Sequence, residues 1–239
     1  MHFPSVEQTG VGVVVPHDMA LDRELWRWAP VDVSLYLTRT PHTPHEVTVE
    51  MVSLISESDS VATSTRDLET TGAGAVAYAC TSGSFIRGLA GERTLVEAML
   101  SAGAAAAVTT SGAMLEALGH FGVSKVAVAT PYDQTLTTRL EEFLREAGIS
   151  LAGSAHLGLA RDISKVPYET TAQLIREADR PEAEAVFVSC TNLPTYDVLA
   201  PLEAELGKPV ISANQATMWA SLLRIGRSAV DSGQRLLAP

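Results

Sequence analysis

Short apolar runs rich in Val and Ala alternate along this chain with longer stretches in which apolar residues recur every three or four positions. That is the pattern of βα units. A strand buried on both faces of a parallel sheet needs a continuous apolar run, while its covering helix needs one apolar stripe. Strands are predicted at 11–15, 33–37, 75–79, 105–108, 125–129, 185–189 and 210–212. Helices are predicted at 21–28, 48–56, 93–102, 114–120, 134–147, 170–178 and 196–206. Gly148 stands after 134–147 as a helix stop, and Pro209 opens the strand that follows Gly207. The stretch 153–166 is weakly periodic and receives no element, and 42–44 reads as a loop.

The pattern also repeats itself. VGVVVPHDMALDREL at 11–25 aligns with VAVATPYDQTLTTRL at 126–140, a shift of 115 residues. AGAVAYACTS at 73–82 aligns with AEAVFVSCTN at 183–192, a shift of 110. Each half therefore runs strand, Pro-x-Asp turn, helix, and later strand, Cys-Thr turn, helix. Duplication of this kind implies a pseudo-twofold with the two Cys-Thr turns meeting at its axis. The expected fold is α/β: two pseudo-symmetric lobes, each a parallel sheet flanked by helices, with the site between them. The division expected is 1–121 for the first lobe, with 211–239 packing back onto it, and 122–210 for the second.

Length and charge narrow the classes. A chain of 239 residues suits one large domain or two small ones. The net charge of -11 is spread along the chain with no Lys/Arg-rich stripe, which argues against a nucleic-acid partner. No apolar run reaches the ~18–20 residues of a membrane span, and the N-terminus lacks the basic and apolar regions of a signal peptide, so a cytoplasmic protein is expected. The two cysteines are too few for a disulfide scaffold and lack zinc spacing, and no histidine pair shows HExxH spacing. No structural metal site is expected.

Cys80 and Cys190 carry the chemistry. Ligands of an open parallel sheet collect beyond the carboxyl ends of its strands, where both thiols should project. A helix N-terminus offers unsatisfied N–H groups and partial positive charge, so it favours thiolates and binds carboxylates. At least one thiol is therefore expected to ionise below the free-cysteine value of about 8.5. The bland alternative is a pair of buried structural cysteines. Duplicated positions, each followed by Thr, weigh against it. Asp18 reads either as a charge on the cleft or as a cap for the helix from Leu21, and Asp133 could cap likewise. His17 reads as a solvated loop residue, a proton relay or a substrate contact. Asn214 and Gln215 read as cleft lining or as caps of a following helix.

CTSGSFIRG at 80–88, CTNLP at 190–194 and VVVP at 13–16 resemble the maleate isomerase and arylmalonate decarboxylase branch of the aspartate/glutamate racemase superfamily. The resemblance covers nearly the whole chain and implies two Rossmann-like lobes with one active cysteine each and no cofactor. Racemases of this kind remove an α-proton with one thiolate and return one from the other thiol. In isomerase-like members the first cysteine adds to the alkene. The decarboxylases keep only the second cysteine and carry Gly where this chain has Cys80. By the same resemblance Pro16, Thr81, Ser82, Tyr132 and Thr191 contact a substrate carboxylate. The first Pro turn departs from the pattern: isomerases resemble P-x-x-Asn-Thr, whereas this chain has Asp18-Met19-Ala20 after Pro16-His17.

The function expected is a cofactor-independent isomerase or racemase of a small carboxylic acid using Cys80 and Cys190. A decarboxylase-like lyase with Cys190 as proton donor is the alternative among enzymes, and a small-acid binding protein the alternative outside them. The partner expected is a small carboxylate, with no membrane or nucleic acid, and a homo-oligomer is left open.

Overall fold

The computed structural model describes residues 8–230 and 232–238. The first half runs β1 (Thr9–Val15), α1 (Asp22–Trp26), β2 (Val33–Arg39), α2 (Val49–Ile55), α3 (Ser58–Glu69), β3 (Ala75–Tyr78), α4 (Thr81–Phe85), α5 (Gly88–Ser101), β4 (Ala107–Thr109) and α6 (Thr110–His120). The second runs β5 (Lys125–Thr130), α7 (Gln134–Glu146), β6 (Ser150–His156), α8 (Tyr168–Ala178), β7 (Ala185–Val188), α9 (Tyr196–Leu206), β8 (Val210–Ser212) and α10 (Ala213–Arg224). Two four-stranded parallel sheets result, ordered β2-β1-β3-β4 and β6-β5-β7-β8.

The internal repeat survives at the level of register. Val11 pairs with Ala75 and Val13 with Ala77 in the first sheet, while Val126 pairs with Ala185 and Val128 with Phe187 in the second. These pairs map onto one another by the same two offsets that align the sequences. The chain just before each thiol matches too, since Ala79 N–H donates to the Val14 carbonyl and Ser189 N–H to the Ala129 carbonyl, both at 2.8 Å. Apart from Thr9 and Lys125 at their starts, the central strands are buried, as continuous apolar runs require of a sheet covered on both faces.

Besides α4, expected only as the helix after the Cys80 turn, three elements fall outside the predicted ranges. β6 is an edge strand of small residues, SLAGSAH, bulged where it joins β5, so it has neither alternation nor β-branched bulk to announce it. α3 is rich in Ser, Thr and Asp, but Val61, Thr65 and Leu68 fall on one buried face. α10 opens with a reciprocal capping box in which Ser212 and Gln215 satisfy each other's backbone N–H, so the role of Gln215 is to cap. α10 packs against α6 and β3 of the first sheet. The stop after α7 is as expected: Gly148 has φ +79°, the left-handed region open to glycine.

The two Pro-x-Asp turns have diverged. Asp133 caps α7, its carboxylate accepting the Leu136 N–H at 2.8 Å, a contact worth about 1 kcal/mol. Asp18 caps nothing, because α1 begins four residues later with Leu21 at its N-cap and no side-chain cap bond. Of the two tryptophans near α1, Trp28 is buried with its indole N–H on Gln234 Oε1 at 2.9 Å, while Trp26 is largely exposed.

Candidate active site

Cys80 leaves β3 in extended conformation and N-caps α4, and its Sγ accepts the Gly83 N–H at 3.3 Å with Ser82 Oγ 3.9 Å away. The turn is fixed from behind. Ser84 Oγ donates to the Cys80 carbonyl at 2.7 Å and meets Ser111 Oγ at 2.7 Å, and Ser111 Oγ in turn donates to the Thr81 carbonyl at 3.1 Å. Glycine at 83 is required by space. A Cβ there would fall 2.3 Å from Tyr78 Oη and 3.0 Å from Cys80 Sγ.

Cys190 is built differently, and here the sequence reading needs correction. No helix starts at Cys190; α9 begins only at Tyr196, and Cys190 instead takes a positive φ of 87° with its Sγ accepting the Asn192 N–H at 3.4 Å. The two turns touch, since the Cys190 N–H donates to Thr81 Oγ1 at 3.3 Å. Tyr132 is buried beside them, with Ser189 Oγ 3.4 Å from its hydroxyl and Phe85 edge-on to its ring.

A second set of contacts, largely unforeseen, holds the Cys190 turn. Asn192 clasps the loop after Pro16: its Nδ2 donates to the Asp18 carbonyl at 3.1 Å and its Oδ1 accepts the Ala20 N–H at 2.9 Å. Behind it lies a buried carboxylate. Glu24 of α1 accepts from Thr195 N–H at 3.1 Å, Thr195 Oγ1 at 2.7 Å and Asn214 Nδ2 at 3.2 Å, and the same Asn214 amide donates to the Thr191 carbonyl at 2.9 Å. Burial raises the Glu24 pKa and the Thr195 and Asn214 donors oppose it. Asn214 therefore braces the turn and does not line the cavity. A buried Glu in a short surface helix gives no sequence signal of such a role.

Pro16, Cys80, Thr81, Ser82, Tyr132, Cys190 and Thr191 all line one small cavity of about 30 Å³. That is room for about two water-sized groups, the dimensions of a carboxylate. Met51, Ile55, Val47 and Ile163 close its apolar side, and Asp18 and Asn192 stand at its mouth. Through Asp18, Asn192, Val47 and Ile163 it adjoins a wider outer cavity of about 630 Å³ that includes His17, His42 and His45. His17 and His42 meet edge to face at 5.1 Å; burial pushes His17 below its ordinary value while Asp18 opposes the shift. Among the described residues, no cluster of three His, Cys, Asp or Glu side chains is placed to hold a metal ion, and no helix is long and apolar enough to cross a membrane.

The thiols are not activated in the way helix starts suggest. Burial pushes Cys80 up to about 11, against the lowering effect of Gly83 N–H, Tyr78 and Ser82, and Asp18 adds to the rise. Burial pushes Cys190 up to about 12, against Asn192 N–H and Tyr132, with Asp18 and Cys80 adding to the rise. Desolvation of a sulfur anion outweighs one or two donors. Burial therefore keeps both thiols protonated at neutral pH in the free protein. Iodoacetamide alkylation of the native protein is accordingly expected to rise about tenfold per pH unit through pH 7–10; a plateau below the free-cysteine value would contradict burial as the dominant effect. A pKa raised in the fold means stability present below the ordinary thiol value of 9.0 and lost as pH climbs towards 11–12.

Fold and cavity define a two-lobed α/β protein that presents one thiol from each duplicated half to a single acid-sized cavity. The chain belongs to the arylmalonate decarboxylase family, which it matches over residues 48–237, and hence to the racemase-like branch it resembles. It is 33% identical to the arylmalonate decarboxylase of Bordetella bronchiseptica over 175 residues, 72% of this chain and 73% of that one. It is 26% identical to the maleate isomerase of Alcaligenes faecalis over 122 residues, 50% of this chain and 48% of that enzyme. Among solved structures, a liganded arylmalonate decarboxylase with one Gly-to-Cys and one Cys-to-Ser substitution superposes with a TM-score of 0.89 at 29% identity, covering 96% of this chain and 99% of that one. A Cys-to-Ser maleate cis-trans isomerase of Nocardia farcinica, holding a covalently bound succinylcysteine intermediate, shares the fold with a TM-score of 0.86 at 22% identity, covering 96% and 98%. These relatives are enzymes.

Proposed function

We propose that the chain is a cofactor-independent isomerase or racemase of a small carboxylic acid, worked by Cys80 and Cys190. The observation that carries this reading is the meeting of two pseudo-equivalent thiols at one small cavity beside uncharged hydrogen-bonding groups. The acid's carboxylate sits among Thr81, Ser82, Tyr132 and Thr191, whose hydroxyl and N–H groups take up negative charge as it spreads from the adjacent carbon.

For an alkene acid, the Cys80 thiolate bonds to one alkene carbon while the Cys190 thiol gives its proton to the other. The resulting C–C single bond rotates, the Cys190 thiolate takes the proton back, and Cys80 leaves as thiolate. For a saturated acid, one thiolate removes the α-proton and the other thiol delivers one to the opposite face. Each cycle thus needs one thiol and one thiolate, and because burial keeps both sulfurs protonated in the free protein it begins once one of them has lost its proton to water. Cys80, whose sulfur has Gly83, Tyr78 and Ser82 in support, is the group assigned the anion, and Cys190 the proton.

The family match and a Cys190 held protonated by burial favour one second reading, a lyase in which Cys190 protonates the enediolate left by loss of carbon dioxide. Proton NMR in deuterium oxide with a panel of small acids separates the two. Deuterium entering the α-position of an unchanged acid, or cis/trans conversion, is the expected result. Carbon dioxide release from a substituted malonate with neither of these would replace the isomerase with the lyase, and binding without turnover would leave only a capture protein.

A further inference from the structure

We propose that the cavity takes a monocarboxylate whose far end carries a hydrogen-bond donor facing Asp18, and that it discriminates against dicarboxylates. The proposal rests on the small-acid reading above and names the substrate class of that site. Three observations carry it.

Among the described residues, the wall of the inner cavity holds no Lys, Arg or His, and Asp18 is its sole acidic side chain. One carboxylate is accommodated by neutral donors, but a second at the mouth finds a like charge and no cation. The cations around the two cavities are already matched: Arg39, whose Nη1 donates to the Pro16 and Met19 carbonyls, with Asp22, Arg161 with Glu46, and Lys165 with Asp162. His17, pushed below its ordinary value, brings little positive charge at neutral pH.

Asp18 is also unspent. Its repeat-mate Asp133 is consumed in capping α7, whereas among the described residues the Asp18 carboxylate makes no hydrogen bond or ion pair, and its backbone is pinned by the Asn192 clasp. The pseudo-symmetry makes this a difference in use between two equivalent positions. Finally, the carboxylate's field reaches the reacting centre, since it raises both thiols. A group seated between the thiols and Asp18 therefore meets an acceptor, which an amide or hydroxyl can satisfy and an ammonium can satisfy with charge as well.

The test is binding, which does not depend on turnover, so its failure is separate from failure of the isomerase reading. Calorimetry would compare succinate, butanoate, succinamate and 4-aminobutanoate on the wild-type chain and on Asp18→Asn, which keeps the size of the side chain. We expect at least one of the two donors to bind about 10-fold or more tightly than both succinate and butanoate, the scale of a partly screened like-charge contact. Asp18→Asn is expected to bring succinate within about threefold of the better donor, by the same removal of repulsion. A comparison of amide with ammonium tells whether the donor is neutral or cationic. Succinate binding as tightly as the donors to the wild type, an unchanged ratio in Asp18→Asn, or no binding of any of the four would each overturn the proposal.

Discussion

Cys80→Ser and Cys190→Ser are each expected to lose turnover by about 100- to 10,000-fold, the range spanned by a general acid or base, with a larger loss at Cys80 where it forms a bond to carbon. A hydroxyl in either buried position neither ionises at neutral pH nor adds to an alkene. Binding of the acid should change little, because the carboxylate contacts are assigned to Thr81, Ser82, Tyr132 and Thr191 and not to sulfur. The measurement is kcat for each variant on an acid found by the NMR panel, with binding followed by calorimetry. Near wild-type turnover in Cys80→Ser would sink the two-thiol mechanism and leave Cys190 alone as proton donor.

Gly83→Ala is expected to lower kcat by about 100-fold, the usual effect of displacing a reacting group by about 1 Å. The added methyl has two neighbours to push. Tyr78 Oη is held by the Ile55 carbonyl at 2.8 Å, and the remaining neighbour is Cys80 Sγ itself. Displacement of the turn also weakens the Gly83 N–H bond that lowers the Cys80 pKa, so the alkaline rise in Cys80 alkylation should move to still higher pH. An unchanged kcat with an unchanged alkylation profile would mean that the turn yields elsewhere and that the close packing around the sulfur has no catalytic consequence.

Much of the fold was legible because duplication leaves two independent copies of the same signal. The paired Val and Ala runs gave the inner strands, and the two offsets carried through to the strand register. What escaped was structure whose signal is not apolar periodicity: the small-residue edge strand β6, the hydroxyl-rich α3 and the cap-defined α10. At the site, the thiols and their Thr neighbours were visible as motifs, and all seven expected lining residues share the cavity. Met51, Ile55 and Ile163 were not, since an apolar wall residue is indistinguishable in sequence from core. The expectation of low thiol pKa values failed for a definite reason. It assumed helix starts open to solvent, whereas Cys80 is 3% exposed and Cys190, 8% exposed, has no helix at all.

The positive φ of Cys190 separates the two cysteines in backbone cost as well as in chemistry. Cys80 sits in extended backbone that any residue adopts, but Cys190 occupies a conformation that costs a side-chain-bearing residue on the order of 1 kcal/mol and glycine very little. Stability alone would thus let position 190 drift to glycine, and no comparable backbone gain is available at position 80. On the backbone's account alone, Cys190→Gly is therefore expected to cost less stability than Cys80→Gly, which thermal unfolding of the two variants would show.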